Sequence, residues 1–433
     1  MKKINIGLIG LGTVGQGVAK TLLEKRSFLI NKLGFEIRLK KVCEIDSKKI
    51  KRANLPSTMV TQNAIDVLND AEIDIVVELI GGIHPAKEYI LSALNNNKHV
   101  VTANKALLAE EGKEIFTLAQ KKGLNLGFEA SVGGGIPIIK AIRESLIGNR
   151  IISILGILNG TSNFILTEMY EKGCAFHSAL KLAQEKGYAE KNPYFDIEGI
   201  DSAHKIAILT LLGFGYHVDM KKIYIEGISN IAYSDILYAK EMGYVIKLLA
   251  VSKLEDKFLE IRVNPTLIPE KHLLASVRGI HNAIYVQGDM VGEAIFYGEG
   301  AGQMPAASSV MSDIIDIAKA IISGRNYNYF NLFFNQTIKG LLPIKDIESR
   351  YYMRFMAVDK PGVLAKISGI LGRKKISIAS VSQKERRRAK VVPVVIITHE
   401  ARERDLRTAL EMIEKLDVIK DKPVAIRIEE LTP

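Results

Sequence analysis

Glycines, lysines and carboxylates at telling spacings mark where this chain could do chemistry. Gly10-Leu11-Gly12-Thr13-Val14-Gly15 directly follows an apolar, strand-like run and opens an amphipathic stretch. Gly10 suits a tight turn, Gly12 lets backbone approach a pyrophosphate, and Gly15 lets helix and strand pack closely. Thr13 and Val14 fall in the first helical turn, where free N–H groups and the helix dipole favour phosphate. Alone, the pattern is weak, and a structural glycine turn is the plain alternative. Between strand and helix at the head of an α/β chain it reads as a dinucleotide loop. The choice of dinucleotide stays open. Glu44-Ile45-Asp46 ends the second strand-like run, where a carboxylate would bond ribose hydroxyls and favour NAD, but Lys48, Lys49 and Arg52 follow at once and suit the 2′-phosphate of NADP.

Three further stretches carry reactive types. Thr102-Ala103-Asn104-Lys105 falls at the end of the fourth strand-like run, and open α/β sheets bind ligands at such carboxyl ends. A merely solvated Lys105 is the plain alternative. Asn159-Gly160-Thr161-Ser162-Asn163 is a polar turn opening a helical pattern, with Thr161 or Ser162 readable simply as a helix cap. The densest block runs from Gly187 to Lys205 and holds Tyr188, Glu190, Asp196, Asp201 and Lys205. Asp201 and Lys205 are four apart and share a helix face. An exposed ion pair is the plain reading, but Ile208, Leu209 and Leu212 continue that face and turn it inward. A buried lysine beside carboxylates can have its pKa adjusted for general acid/base work.

The elements that must position these residues follow from periodicity. Strands are expected at Ile4–Ile9, Glu36–Glu44, Ile73–Glu78, His99–Thr102 and Leu124–Phe128. Helices are expected between them, at Val14–Ile30, Pro85–Asn95 and Glu111–Lys121. This alternation predicts a parallel, doubly wound sheet over residues 1–130. Residues 131–302 read as an α+β substrate-binding domain, and a helix over Met304–Ser323 is placed to return to the first domain. Polar residues 324–349, with Asn326, Asn328, Asn331 and Asn335, read as a linker. Residues 350–433 follow the order βαββαβ, a ferredoxin-like unit, expected to be separable so that a chain ending near Asn335 keeps its activity.

The 433 residues are 47% hydrophobic and 25% charged, an ordinary globular balance for two or three domains. No apolar run is long enough to span a bilayer, and the N-terminus leads into a strand instead of a secretory signal. With Cys43 and Cys174 alone, neither a disulfide framework nor a cysteine metal cage is expected, which points to the cytoplasm. The net charge of +11 is partly gathered in Lys384-Glu385-Arg386-Arg387-Arg388. That run reads as a solvated hairpin tip, because no motif for reading nucleic acid accompanies it.

These motifs, with Glu129-Ala130-Ser131-Val132-Gly133-Gly134-Gly135-Ile136-Pro137 and Gly298-Glu299-Gly300-Ala301-Gly302, occur in the order found in homoserine dehydrogenases, which residues 1–323 resemble. The resemblance implies interconversion of L-aspartate 4-semialdehyde and L-homoserine with NAD or NADP, in threonine, methionine and isoleucine biosynthesis. It implies Lys205 as proton donor and acceptor, Asp201 as its acidic partner at the substrate, and Lys105 near nicotinamide and substrate. Glu190 would hold the substrate's amino group, with Gly160, Thr161, Tyr188 and Asp196 also at the substrate. Gly187 and Gly302 would join the glycine loop at the cofactor. Glu129 and the backbones of Val132, Gly134 and Ile136 would hold a monovalent cation, usually sodium. Residues 350–433 resemble an ACT domain through Asp359-Lys360-Pro361-Gly362-Val363-Leu364 and the βαββαβ order, implying an amino-acid effector, threonine, and a homodimer or homotetramer. A dehydrogenase of another amino-acid semialdehyde, or a non-catalytic sensor of nucleotide and amino acid, are the rival readings. Neither a nucleic-acid nor a membrane partner is expected.

Overall fold

The computed structural model describes residues 1–324, 337–383 and 391–431, and divides into two compact units. The basic run at 384–388 and residues 325–336 of the expected linker therefore lie outside the described residues.

The first unit comprises Met1–Leu158, Ala203–Lys222 and His281–Gln336. Its main sheet has six parallel strands in the spatial order Val60–Thr61, Glu36–Cys43, Lys3–Ile9, Ile75–Glu78, His99–Thr102 and Leu126–Gly127. Ile6, Leu8, Ile75, Val76, Val77, Val100 and Val101 are all fully buried, as expected where helices cover both faces of a parallel sheet. Strand order reverses between Lys3–Ile9 and Ile75–Glu78, and the glycine loop leaves the sheet at that switch point.

The helix expected over Val14–Ile30 is two, Thr13–Glu24 and Arg26–Leu33, broken at Lys25, where ψ is 14°. The return of Gln303–Ser323 is as expected. Ala307, Val310, Met311, Ile314 and Ile317 share one core with Ile4, Leu8, Val18 and Leu22. Gly17 permits this approach, since a Cβ there would lie 2.9 Å from that of Ala307. The unit also holds an antiparallel sheet of Gly292–Glu299, His281–Gly288 and Ile151–Ile157.

The second unit comprises Asn159–Ser202, Ile223–Ile280 and Thr337–Pro433. A long hairpin, Tyr244–Glu255 with Phe258–Pro269, is its spine. The C-terminal residues form the expected βαββαβ unit, with strands in the order Val424–Ile428, Glu348–Val358, Val391–Thr398 and Ile378–Ser382. Helices Val363–Arg373 and Glu403–Glu414 close over Met353, Phe355, Val394 and Ile396.

One expectation changes here. The C-terminal sheet is not set apart by a linker. Thr266 and Leu267 of the hairpin pair in parallel with Arg427 and Ile428, and Gly340–Leu341, inside the stretch read as linker, pair with Phe258–Leu259. Buried charges seal the junction. Arg262, 1% exposed, donates to Glu260 (2.5 Å), Glu429 (2.6 Å) and Asn264 (2.9 Å), while fully buried Asp235 accepts from Arg354 (2.6 and 3.1 Å) and Tyr352 (3.0 Å). A chain ending near Asn335 would leave Arg262 and Asp235 with part of their pairing gone, at a cost of several kcal/mol each. The hydrophobic pattern of residues 350–433 could not show this, because the partners lie far away in sequence.

Candidate active site

The glycine loop has the geometry its spacing demands. Gly10 has φ +101° with the Leu79 carbonyl only 2.8 Å from where a Cβ would sit, and at Gly15 a Cβ would lie 2.0 Å from the Gly10 oxygen. At Gly12, by contrast, nothing lies within 4 Å. Gly12 also precedes Thr13–Glu24 without a side-chain cap, so the turn containing Thr13 and Val14 presents N–H groups on an open side. These features fit a pyrophosphate.

The two carboxylates at the end of the second strand are engaged locally. Glu44 accepts from the backbone N–H of Leu11 (2.7 Å), Ile45 (2.9 Å) and Asp46 (3.0 Å), bracing the glycine loop. Asp46 caps Ser47–Ala53 through Lys48 N (2.8 Å). Lys48 is exposed beside them, and half-buried Lys49 lies 3.9 Å from the Glu44 carboxylate.

Lys105 opens helix Lys105–Lys122 from a well-held corner. Asn104 caps that helix at Leu107 N (3.2 Å) and donates to Gly82 O (2.6 Å). Beneath it Glu78, fully buried, accepts from Thr102 Oγ1 (2.6 Å) and Ile80 N (2.8 Å), and burial raises its pKa. Sequence reading passed over Glu78. A carboxylate closing the apolar run Ile75–Val77 was the available signal.

The segment read as a cation loop surrounds a buried acidic pair. Glu129, 1% exposed, accepts from Ile139 N (2.8 Å) and Lys140 N (2.9 Å), while its own N–H donates to Asp313 (2.8 Å). Burial, with the Asp313 charge beside it, pushes Glu129 up to about 7. Burial likewise pushes Asp313 to about 6 against the opposing charge of Lys140. Gly134 has φ +56°, and its carbonyl accepts from Ser309 (2.6 Å). An all-oxygen set of one under-compensated carboxylate and loop carbonyls suits a hard monovalent cation. Among the described residues no cluster of three or more His, Cys, Asp or Glu side chains suggests a metal site of another kind. Gly302, with φ +128°, precedes Gln303–Ser323, also without a side-chain cap.

In the second unit the Asn159–Asn163 turn does more than cap. The cap of helix Gly160–Lys172 is Asn159, not Thr161 or Ser162, through its Oδ1 and Ser162 N (2.8 Å). The same side chain donates to Asp196 (2.7 Å) and Asp201 (2.9 Å), tying two carboxylates to one amide. Thr161 Oγ1 donates to Tyr188 O (2.6 Å) and Ser162 Oγ to Asp196 O (2.7 Å). Gly160 admits no side chain, since the Ile280 carbonyl lies 2.6 Å from a Cβ position. Thus Gly160, Thr161, Tyr188, Asp196 and Asp201 are brought together, with Asn159, which sequence reading quoted without a role, at their centre. Gly187 (φ +74°) and Glu190 lie on the exposed loop nearby, and Glu190 is anchored through its carbonyl to Gln184 (3.2 Å).

Asp201 and Lys205 stand one turn apart on helix Ile200–Phe214, 5% and 7% exposed. The surface ion-pair reading therefore fails on burial. Lys205 Nζ donates to the Leu158 carbonyl at 2.5 Å.

A parallel sheet with an open glycine loop at its switch point is the fold of dinucleotide-dependent oxidoreductases. Comparison narrows the class. The family model for the homoserine dehydrogenase NAD-binding domain matches residues 10–129, that for homoserine dehydrogenase matches 137–315, and the ACT-domain model matches 351–418. A homoserine dehydrogenase of Neisseria gonorrhoeae is 47% identical over 434 residues, covering 100% of both chains. The crystal structure of a homoserine dehydrogenase from Thiobacillus denitrificans superposes with a TM-score of 0.92 at 45% identity, covering 99% of each chain. A hyperthermophilic archaeal homoserine dehydrogenase in complex with NADPH gives a TM-score of 0.63 at 26% identity over 73% of this chain and 98% of that one. The chain belongs to the homoserine dehydrogenase family and carries an ACT domain at its C-terminus. No helix among the described residues is long and apolar enough to cross a membrane.

Proposed function

We propose that this chain interconverts L-homoserine and L-aspartate 4-semialdehyde, with Lys205 exchanging the hydroxyl proton. The bound dinucleotide supplies the hydride acceptor and donor at nicotinamide C4. The protein's task is to hold the reacting carbon and to move one proton. Glu190 and Asp196 bind the substrate's amino end, with Gly160, Thr161 and Tyr188 shaping the space around it. Asp201 orients the substrate beside Lys205, and Lys105 stands at the nicotinamide side. The observation that carries this reading is the single Asn159 amide joining Asp196 to Asp201, one helical turn before buried Lys205. Lys205→Ala is expected to lower kcat by about 10²–10⁴-fold with little change in dinucleotide affinity. Near-normal turnover in the folded variant removes Lys205 from the mechanism.

Gly10, Gly12, Thr13, Val14, Gly15, Gly187 and Gly302 are assigned to the dinucleotide. Both NAD and NADP serve, because Glu44 and Asp46 are engaged with backbone while exposed Lys48, with Lys49 beside Glu44, is placed to meet a 2′-phosphate. The archaeal relative's NADPH is in keeping with this. Kinetics with each dinucleotide decide it, and an overwhelming preference for either refutes dual use. Glu129 with the carbonyls of Val132, Gly134 and Ile136 holds sodium. The protein acts in the cytoplasm as a homodimer or homotetramer, with residues 1–130 binding dinucleotide, 131–302 binding substrate, and 350–433 binding threonine as effector. Activity against threonine concentration tests the last assignment, and indifference to every amino acid tried refutes it.

A further inference from the structure

Lys247 lies in the middle of strand Tyr244–Glu255, among Val245, Ile246, Leu248 and Leu249, and is 1% exposed. Among the described residues it makes no ion pair. Its ammonium nitrogen donates to Asn163 Oδ1 (2.9 Å) and to the Val277 carbonyl. Asn163 donates in turn to the carbonyls of Val277 (3.3 Å) and Gly279 (3.0 Å). Thr167 Oγ1 accepts from Gly279 N (3.1 Å) and donates to Asn163 O (2.7 Å). This knot straps the segment Val277–Ile280 along helix Gly160–Lys172. The strap ends at Ile280, whose carbonyl fills the place of a Gly160 side chain.

A methionine would fill the same volume without burying a charge, and burying an unpaired ammonium is costly. What methionine cannot do is bridge two acceptors on two segments. Burial, with Arg278 nearby and only Glu171 opposing, brings the Lys247 pKa down to about 7. Either protonation state has N–H groups enough for the two acceptors, three in the ammonium and two in the amine.

We propose that Lys247 is a positioning residue for the amino-acid substrate: by tying helix Gly160–Lys172 to Val277–Ile280 it sets the pitch of the Asn159–Ser162 turn. Through that turn it places Asp196 and Asp201. The inference rests on the assignment of these residues to the substrate.

The test compares Lys247→Met and Lys247→Gln in the full-length enzyme. Lys247→Met is expected to raise the homoserine KM by about ten- to a hundredfold, as small misplacements of a bound substrate do. Dinucleotide affinity should stay within about twofold, and Lys247→Gln, which keeps a donor, should recover part of the loss. A merely structural lysine would instead lower thermal stability while the folded molecules kept their homoserine KM. That outcome, or a parallel fall in dinucleotide affinity, overturns the inference. If Lys247→Met does not fold, Lys247→Gln decides on the same criteria. Glu190→Gln and Asp196→Asn are measured alongside. If neither moves the homoserine KM, the substrate assignment falls and the inference with it. If they raise it and the Lys247 variants do not, the inference alone is overturned.

Discussion

Asp235 offers the sharpest test of how the C-terminal unit is held. Its carboxylate is fully buried and accepts from Arg354 Nε (2.6 Å), Arg354 Nη2 (3.1 Å), Tyr352 Oη (3.0 Å) and Ala232 N (3.1 Å). Asp235→Leu removes the acceptor of a guanidinium only 11% exposed and of a tyrosine hydroxyl that is wholly buried. Breaking one side of such a buried pair costs about 3–5 kcal/mol, far more than the zero to 1 kcal/mol of a surface pair. At a urea slope of about 3 kcal/mol/M, that loss lowers the unfolding midpoint by roughly 1–1.7 M. Adding Arg354→Met removes the stranded charge and should restore about half of the loss, the Tyr352 hydroxyl remaining unpaired. The assay is equilibrium urea unfolding of the wild type, both single variants and the double. A single-variant loss below about 1 kcal/mol, or a double variant no better than the worse single, refutes the view that this junction is held by buried charge.

Two further outcomes follow from buried titratable groups. Sodium should raise the thermal midpoint of the wild type above that in a potassium-free organic-cation buffer, and Glu129→Gln should abolish the difference. An unchanged sodium response in the variant excludes Glu129 as a ligand. For Lys247, whose pKa falls from an ordinary 10.5 to about 7 on folding, the unfolded chain binds more protons between those values. Stability should therefore rise with pH across that window and be flat below it, by up to about 5 kcal/mol relative to Lys247→Met. Parallel stability–pH curves for the two proteins would show that Lys247 keeps its proton.

Local chemistry was legible in the sequence, and long-range pairing was not. Gly10, Gly12 and Gly15 constrain atoms within a few residues of themselves, so spacing alone conveys their geometry. The inward face of Ile200–Phe214 and the returning helix Gln303–Ser323 likewise follow from apolar periodicity. The break at Lys25 has no glycine or proline to announce it, and so one long helix was expected. The supporting charges escaped for a different reason. Thr102 pairs with Glu78 across 24 residues, Lys247 with Asn163 across 84, Arg354 with Asp235 across 119 and Glu129 with Asp313 across 184. Each is a charged or polar residue inside an apolar pattern. That pattern marks a buried polar group but cannot name its partner.

The seam of the second unit explains why so much charge is buried there. Among the described residues, two strand pairs, Thr266 with Arg427 and Leu267 with Ile428, join the hairpin to the C-terminal sheet. So short a parallel contact specifies its register poorly, and a slip of one residue would turn every side chain of the strand to the opposite face. Glu429 would then leave Arg262 and Lys253, and Arg427 would leave Glu403, which it meets at 2.8 Å. Buried ion pairs add little net stability but make the wrong register expensive. The same hairpin strand also leads toward the stretch that the proposed function assigns to the substrate. Arg262 and Val263 pair with Tyr224 and Ile225, Glu226 N donates to Val263 O (2.8 Å), and Ile228 N donates to Ile197 O (2.8 Å), next to Asp196. Gly199 completes the contact, with Val263 Cγ1 3.0 Å from its missing Cβ. Backbone hydrogen bonds, linked by short stretches of chain, thus lead from Val424–Ile428 to Ile197, between Asp196 and Asp201 in sequence. Contiguity alone does not transmit a signal, which requires an element with two arrangements. What the structure does show is that the seat of the C-terminal strand and the position of the Ile197–Gly199 stretch lie on one path of backbone contacts.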